Sequence, residues 1–243
     1  MEESREIRLD IYLTTHHNIQ SRNKAQELIK AKKVFVNDKN IIKPSFDIEG
    51  DVSIRIDQDE FFVSRAAYKL KYFLEDNNIN LENSIALDIG SSTGGFTQIL
   101  LQNNVKNVTC VDVGSNQLHS SIKDDKRIII SENTDIRNFK SNRQFDVVTC
   151  DVSFISILNI INDINRLSSN KIVILYKPQF EVGREIKRDR NGVVLDKNAI
   201  NLVRDTFIET TKKLNWNLIV SNESKVAGKS GNIEELFYFI KSI

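Results

Sequence analysis

The sequence predicts an α/β fold in which a mostly parallel sheet carries helices on both faces, preceded by a small α+β domain. Apolar runs alternate with amphipathic stretches from residue 85 onward, a pattern typical of parallel strands joined by crossover helices. Residues 1–56 differ from this pattern and contain a single glycine, Gly50. A length of 243 residues allows one ordinary domain plus a small one. We therefore expect a small domain at 1–56, a linker at the acidic run 57–63 and a larger domain at 64–243.

The composition excludes several classes of protein. Lys+Arg number 34 and Asp+Glu 33, so the net charge is +1 and any nucleic-acid surface must be a local patch. The two cysteines, Cys110 and Cys150, are far apart, which excludes a disulfide scaffold and a Cys-rich zinc site. No metal-ligand spacing appears, and we expect no metal. No apolar run approaches about 18 residues, and the N-terminus is polar, so a spanning helix and a secretory signal are excluded. These features predict a cytoplasmic protein that does not act on membranes.

The small domain combines two predicted short helices with a basic, β-rich stretch. Apolar residues recur at helical spacing over residues 9–13 and 25–29, and Ser21 is a suitable N-cap for the second helix. Residues 16–46 hold seven Lys or Arg side chains against two acidic ones. Such a cluster suits phosphate contact, although a solvated helix face would carry the same charges. The cations predicted to contact nucleic acid here are Arg8, Arg22, Lys24, Lys30, Lys32, Lys33 and Lys39.

A glycine-rich turn follows the first strand of the larger domain, in IALDIGSSTGGFT at 85–97. Glycines between a strand and a helix let the backbone approach a ligand and expose N–H groups. The G-x-x-x-G-G spacing differs from the G-x-G-x-x-G of nicotinamide enzymes. Asp88, before the first glycine, suits a cationic ligand such as the amino-acid end of S-adenosylmethionine and would not suit a pyrophosphate. The turn residues predicted to bind this cofactor are Gly90, Ser91, Thr93, Gly94, Gly95 and Phe96.

The following strands each end in a residue that could contact a ligand. NVTCVDVG places Asp112 to accept hydrogen bonds from ribose hydroxyls, and ENTDIRNF places Asp135 near an adenine amino group. FDVVTCDVSFISI and KIVILYKPQFEVG bring Asp151 and Lys177 to the carboxyl edge of the sheet, where ligands of α/β folds bind. Phe154 is predicted either to pack on the adenine or to lie in the core. LIVSNESK and EELFYFIKS are predicted to pair as a terminal antiparallel hairpin.

Two family resemblances cover nearly the whole chain. The ordered segments RLDIYL, SRNKAQELIKAKKVFVNDK and IIKPSFDI resemble the S4-type RNA-binding domain, with Ala31-Lys32-Lys33 where that family has a glycine turn. The segments SRAAYKL, DIGSSTGGFT, CDVSFISI, KPQFEVG and SGNIEELFYFI resemble the FtsJ-type RNA ribose 2′-O-methyltransferases. Together they resemble the TlyA family of ribosomal RNA cytidine 2′-O-methyltransferases, historically labelled haemolysins. The resemblance implies a Rossmann-like, seven-stranded methyltransferase sheet that uses S-adenosyl-L-methionine.

The resemblance also implies a catalytic set, a substrate and a partner. Carried over by motif, the Lys-Asp-Lys-Glu set of FtsJ-type enzymes is Lys69, Asp151, Lys177 and Glu234. Glu235 directly follows Glu234, and the spacing from Ser230-Gly231-Asn232 favours Glu234. Since the chain ends soon after its last strand, it resembles the short form of the family, which favours 23S rRNA of the large ribosomal subunit as substrate. We expect a monomer, with further RNA contacts from Arg65, Arg184 and Arg188. A solvated loop remains the alternative for the charged stretch 181–197.

The reaction explains why such side chains are needed. A ribose hydroxyl is a weak acid and a poor nucleophile, so a base or strong orienting hydrogen bonds must assist its in-line attack on the sulfonium methyl. Desolvation and a nearby cation favour the neutral amine of a lysine. We hypothesise that Lys177 is the base or the main hydroxyl-binding group, supported by Lys69. The alternatives are a membrane-active haemolysin and a catalytically inactive RNA-binding protein.

Overall fold

The computed structural model describes residues 7–17, 19, 21–57 and 61–242. Its internal contacts divide the chain into two compact units, Met1–Phe61 and Phe62–Ile243. The predicted linker 57–63 falls partly on residues 58–60, which lie outside the described residues.

The first unit contains both predicted helices, with one short strand before them and four after them. Ser21 caps the second helix as predicted, since its side chain accepts a hydrogen bond from the Lys24 amide. The buried faces of the two helices and of the second strand form one apolar core that includes Leu9, Ile29 and Val34. Strands β1 and β4 form one pair, and β2 lies between β3 and β5. The elements are α1 Leu9–His16, α2 Arg22–Lys30, β1 Ile7–Arg8, β2 Val34–Val36, β3 Lys39–Asn40, β4 Asp47–Ile48 and β5 Ile54–Ile56.

The turn between α2 and β2 keeps a left-handed backbone without glycine. Lys32 has a φ of 63°, a region that costs L-residues about 1–2 kcal/mol. Asn40 Nδ2 donates to the Lys32 carbonyl and so helps to hold the turn. The structure therefore forms this turn with lysine, and the turn carries a cation where a glycine would carry none.

A buried carboxylate joins the two helices of the first unit. Asp10 is fully buried and accepts hydrogen bonds from Arg8, Arg22 and Gln26. Burial alone would raise the pKa of Asp10, but these hydrogen bonds outweigh burial and hold the pKa below its usual range. Arg8 and Arg22, which the sequence predicts as RNA contacts, therefore also have a structural partner. Their side chains stay about half exposed, at 42% and 50%.

Replacing Asp10 with asparagine should destabilise the first unit by about 2–3 kcal/mol, because charged hydrogen bonds are lost inside a buried contact. Calorimetry of the full chain would detect this as a lower-temperature transition. The control is Glu27→Gln. It removes an exposed carboxylate of α2 that is paired with Lys24 of the same helix, and it should lower the free energy of unfolding by less than about 1 kcal/mol. Equal losses in the two variants would contradict the assignment.

The second unit is built on the predicted seven-stranded sheet. The strand order is β11-β12-β10-β9-β6-β7-β8, and β12 runs antiparallel to both neighbours, whereas the other neighbouring pairs are parallel. The predicted terminal hairpin is therefore confirmed as β11 and β12. The strands are β6 Ile85–Ile89, β7 Asn107–Val111, β8 Ile128–Ser131, β9 Phe145–Cys150, β10 Ser168–Tyr176, β11 Trp216–Glu223 and β12 Glu235–Lys241.

Helices cover both faces of this sheet and enclose two apolar cores. One core includes Phe73 and Leu100 and is covered by α3 and α4. The other includes Ile164, Phe207 and Trp216 and is covered by α5 and α7. The helices are α3 Arg65–Asp76, α4 Gly95–Gln102, α5 Ile161–Leu167, α6 Pro178–Glu181 and α7 Lys197–Lys213, with a 3₁₀ turn at Ile157–Asn159.

The structure confirms the predicted α/β fold class and its seven strands. Within the described residues, no helix combines the length and apolar character needed to span a bilayer.

Candidate active site

The carboxyl ends of four parallel strands meet at one edge of the sheet. The register aligns Ile89 of β6 with Val111 of β7 and with Cys150 of β9, and Cys150 in turn with Ile174 of β10. The chain leaves these strand ends through Gly90, Asp112, Asp151 and Lys177. Four predicted site residues are thus brought to the same edge by strand register.

The three glycines of the turn have different roles. Gly90 has a φ of 76°, and a Cβ there would lie 2.7 Å from the Asp151 carbonyl oxygen, so only glycine fits this cradle. Gly94 is the N-cap of α4 with a φ of 91°. A Cβ on Gly95 would collide with the Ser64 hydroxyl and lie 3.1 Å from the Ala67 amide nitrogen. Gly95 therefore allows α3 and α4 to approach closely, a role in packing that the sequence analysis did not predict.

Asp88 lies beneath the turn and not on the cavity wall. Its carboxylate is fully buried and accepts hydrogen bonds from Thr97 and Thr149, at 2.6 and 2.9 Å. Burial raises the pKa of Asp88 to about 6. The predicted direct contact with a cationic ligand therefore needs correction, because in this structure Asp88 anchors α4 to the sheet. The cause is strand alternation, which points Asp88 toward α4.

A cavity of about 340 Å³ opens beside the glycine turn, within the range of small-molecule sites. Its wall includes four predicted cofactor residues, Gly90, Asp112, Asp135 and Phe154. It also includes Val113 and Gln117, which the sequence analysis missed, although Val113 follows directly after the predicted Asp112. Val113 is 72% exposed, so the cavity has an apolar rim.

The two cavity carboxylates are held in place by neighbouring groups. Asp112 accepts backbone hydrogen bonds from Ser92 and Gly114, at 2.9 and 2.7 Å. Asp135 accepts hydrogen bonds from the Arg137 guanidinium at 2.9 and 2.5 Å. The Arg137 contacts lower the pKa of Asp135 to about 2, so this carboxylate is ionised at neutral pH. Each carboxylate oxygen can accept a second hydrogen bond from a ligand.

Phe154 is the most exposed predicted cofactor residue. It is 91% exposed and has a φ of 67°, so the alternative that it lies in the core is wrong. Its ring lies 5.1 Å from the ring of Phe180, measured between centroids. An exposed aromatic ring on a cavity wall offers a flat surface on which a nucleobase can stack.

A smaller cavity of about 190 Å³ continues from the first and shares Gly90, Ser92, Asp151 and Ser153 with it. Besides Gly90, its wall includes Lys177 and four more predicted turn residues: Ser91, Thr93, Gly95 and Phe96. The Ser91 hydroxyl is buried and has no hydrogen-bond partner among the described residues. An unpaired buried hydroxyl is unusual and suits a ligand contact.

The four candidate catalytic residues form two buried lysine–carboxylate pairs. Lys69 Nζ lies 2.5 Å from Glu234 Oε2, and Lys177 Nζ lies 2.5 Å from Asp151 Oδ1. Lys69, Lys177 and Glu234 are each at most 9% exposed. The register that pairs Tyr176 of β10 with Glu235 of β12 places Glu234 across from Lys177. The two pairs therefore lie at neighbouring strand ends.

Glu235, the residue after Glu234, has a different partner. Glu235 forms a bidentate ion pair with Arg204 of α7, at 2.7 and 2.6 Å. This contact leaves Glu234 as the carboxylate that faces Lys69, which agrees with the choice made from spacing.

Two further side chains contact the pairs and were not predicted. Lys177 Nζ donates to the Ser153 hydroxyl at 3.0 Å, and Gln179 Nε2 donates to Glu234 Oε1 at 3.0 Å. Both residues lie inside the motifs that resemble the family, Ser153 in CDVSFISI and Gln179 in KPQFEVG. Their position within these motifs was the available signal. Within the described residues, no cluster of His, Cys, Asp or Glu has the arrangement of a metal site.

The cations predicted to contact RNA fall into two groups. Some are exposed and have no ion pair within the described part of the chain, namely Lys30, Lys32, Lys39 and Arg184. Others have partners: Lys24 pairs with Glu27, Arg65 donates to the Ala227 carbonyl, Lys33 makes a contact of its own, and Arg188 donates to carbonyls including those of Gly183, Ile186 and Gln179.

Arg188 thus stabilises the loop after α6 by hydrogen bonds to its backbone. Its side chain is only partly exposed, and its guanidinium N–H groups already donate hydrogen bonds to backbone carbonyls. The same loop is tied to the turn before β12, because Asn232 Oδ1 accepts a hydrogen bond from the Val194 amide at 3.1 Å. These contacts hold the loop in place, while Arg184, Lys187 and Arg190 stay exposed, so RNA contact and a solvated loop both remain predictions for this stretch.

Comparisons with known proteins agree with this architecture. A family model described as FtsJ-like methyltransferase matches residues 62–241, and a model of the S4 domain matches residues 7–54. The chain is 45% identical over 255 residues to the 23S rRNA (cytidine-2′-O)-methyltransferase TlyA of Campylobacter jejuni, across 97% of this chain and 100% of that protein. It is 33% identical to the 16S/23S rRNA (cytidine-2′-O)-methyltransferase TlyA of Mycobacterium tuberculosis, across 98% of this chain and 90% of that protein.

A solved structure gives the same result. A candidate hemolysin from Streptococcus thermophilus matches with a TM-score of 0.70 and 30% identity, across 98% of this chain and 89% of that one. The full-length matches and both family models lead to one conclusion: the chain belongs to the FtsJ-like methyltransferase family, in the TlyA group, and carries an S4 domain at residues 7–54.

Proposed function

We propose that this chain is an S-adenosylmethionine-dependent methyltransferase that modifies the ribose 2′-hydroxyl of a cytidine in 23S rRNA. The observation that carries the proposal is the pair of buried lysine–carboxylate contacts beside a cavity suited to a nucleoside. The relative from Campylobacter jejuni, named for 23S rRNA, supports the choice of the large subunit. In this proposal residues 1–56 bind RNA, residues 64–243 catalyse the reaction, 57–63 link them, and the chain acts as a monomer.

The residues of the two cavities fit this cofactor. Gly90 lines both cavities with bare backbone, and Asp112 offers carboxylate oxygens to ribose hydroxyls. Asp135 and Phe154 would hold the adenine, one by hydrogen bonding and the other by stacking. The orphaned Ser91 hydroxyl and the turn amides would face the amino-acid end. When bound, S-adenosylmethionine supplies an electrophilic methyl group.

The lysines would prepare the RNA hydroxyl for attack. Lys177, held by Asp151 and Ser153, would orient the hydroxyl or accept its proton. Lys69, held by Glu234, would add positive charge where negative charge develops on the attacking oxygen. Since all four side chains are fixed by short contacts before substrate arrives, little reorganisation is needed during the reaction.

Mass mapping of ribosomal RNA from cells with and without the gene tests this function. We expect the deletion to remove one ribose methyl group from a cytidine of 23S rRNA, and the purified full-length chain to restore it in vitro with S-adenosylmethionine. Unchanged rRNA would contradict the proposal, and a methyl lost from 16S rRNA as well would contradict the large-subunit preference. Vesicle leakage caused by the purified chain would favour the alternative of a haemolysin, and sedimentation would report the oligomeric state.

A further inference from the structure

Helix α6 contacts both lysine–carboxylate pairs. Lys177 precedes its first residue and contacts Asp151. Gln179, two residues later, reaches the other pair, because its Nε2 donates to Glu234 Oε1 at 3.0 Å. The two oxygens of Glu234 are therefore divided between Gln179 and Lys69.

The Glu234 carboxylate has little freedom to move. It is 3% exposed, and a Cβ on Gly228 would lie 2.6 Å from its Oε1. The backbone of Gly228 thus closes one side of this oxygen, while the Gln179 amide supplies its hydrogen bond. A buried carboxylate oxygen that lost its donor would bear an uncompensated desolvation cost and would shift toward another partner.

We infer that Gln179 is a positioning residue that holds Glu234, and through it Lys69, at a fixed place relative to Lys177. The inference rests on the proposed function and adds a residue to it. Since Gln179 and Lys177 lie on one helical turn, any movement of that turn shifts both pairs together. The amide acts through Glu234 and needs no contact with the substrate.

The charges around the Gln179 side chain decide how a new carboxylate would behave there. Lys69 of α3 faces Glu234 directly, and the Lys177–Asp151 pair lies at the neighbouring strand ends. Arg188 contacts the backbone carbonyl of Gln179 at 3.3 Å. A carboxyl group in place of the amide would meet the Glu234 carboxylate at hydrogen-bonding distance. Two such groups share one proton until the pH rises, after which both ionise and repel each other.

Two substitutions test the inference through different physical effects. Gln179→Leu removes the hydrogen bond, and we expect kcat to fall about 10- to 100-fold at every pH. Gln179→Glu replaces the N–H donor by an O–H donor while the proton is shared. We expect its kcat relative to wild type to be near normal at low pH and to fall as the pH rises. In Gln179→Leu, cofactor affinity measured by calorimetry should stay close to wild type, and the melting temperature should fall by a few degrees because one buried carboxylate oxygen loses its donor.

Gln144 provides a matched control, because its Nε2 also donates a 3.0 Å hydrogen bond, to the Arg166 carbonyl, and it precedes β9 at the opposite edge of the sheet. Gln144→Leu and Gln144→Glu should both keep the wild-type rate and pH profile. A Gln179→Glu profile parallel to wild type, or an unchanged kcat in Gln179→Leu, would overturn the inference. If instead the wild-type chain transfers no methyl group to rRNA, the proposed function itself fails.

Discussion

Replacing Lys177 with alanine is expected to reduce methyl transfer by about 10³-fold or more while cofactor binding persists. The substitution removes the amine that is placed to orient or deprotonate the hydroxyl, and it also leaves Asp151 without its cation. General acid–base and electrostatic contributions of this kind are each worth about 10²–10⁴ in rate. Single-turnover transfer of labelled methyl groups to rRNA measures the loss, and calorimetry measures cofactor affinity.

Lys171→Ala is the control for that experiment. Lys171 lies near the start of β10, the strand that Lys177 directly follows. It donates to the Asn80 carbonyl at 2.6 Å, at the end of the sheet away from the cavity. We expect it to keep the wild-type rate. Loss of methylation and cofactor binding together in Lys177→Ala would indicate a structural role for this lysine, and retained methylation would exclude it from the reaction.

Gly90→Ala is expected to destabilise the larger unit by about 2–4 kcal/mol and to abolish measurable cofactor binding. The added Cβ would lie 2.7 Å from the Asp151 carbonyl oxygen and 3.0 Å from its carbon, so the backbone of the cavity wall must move. The left-handed φ of 76° adds its own cost for any L side chain. Denaturant unfolding and calorimetric titration with S-adenosylmethionine measure the two effects.

Gly192→Ala separates these two causes. Gly192 has a φ of 85°, but a Cβ there would meet no atom of the described residues within 4 Å. The control should therefore lose only the conformational part, about 1–2 kcal/mol, and keep its cofactor affinity. Equal losses of stability and of cofactor affinity in the two variants would show that Gly90 has no special role in the cavity wall.

The sequence predicts strand ends well and side-chain partners poorly. Asp112, Asp151 and Lys177 were placed correctly at one edge, because an apolar run followed by a polar residue marks the end of a buried strand. Asp88 was misplaced because its direction depends on the alternation within β6, and the Thr97 and Thr149 partners become neighbours only after folding. Among these residues, Lys177→Ala tests the proposed catalytic role directly.

The charged side chains illustrate the same difficulty. Charge density marks Arg8, Arg22 and Arg188 as candidates for phosphate contact, but it does not reveal Asp10 or the loop carbonyls that occupy them. Gln179 carries no charge, and its contact with Glu234 joins residues 55 positions apart. Contacts between residues so far apart in the sequence depend on the order of strands in the sheet, which local sequence patterns do not determine.

Glu234 follows the other candidate catalytic residues in the sequence, so it is synthesised after them. The glycine turn, Lys69, Asp151 and Lys177 all precede residue 180, whereas Glu234 stands directly before β12, which lies between β10 and β11. Phe237 and Phe239 of β12 pack against Phe207 of α7. The ion pair that holds Lys69 therefore depends on the terminal hairpin, whose two strands are translated after the other five strands of the sheet.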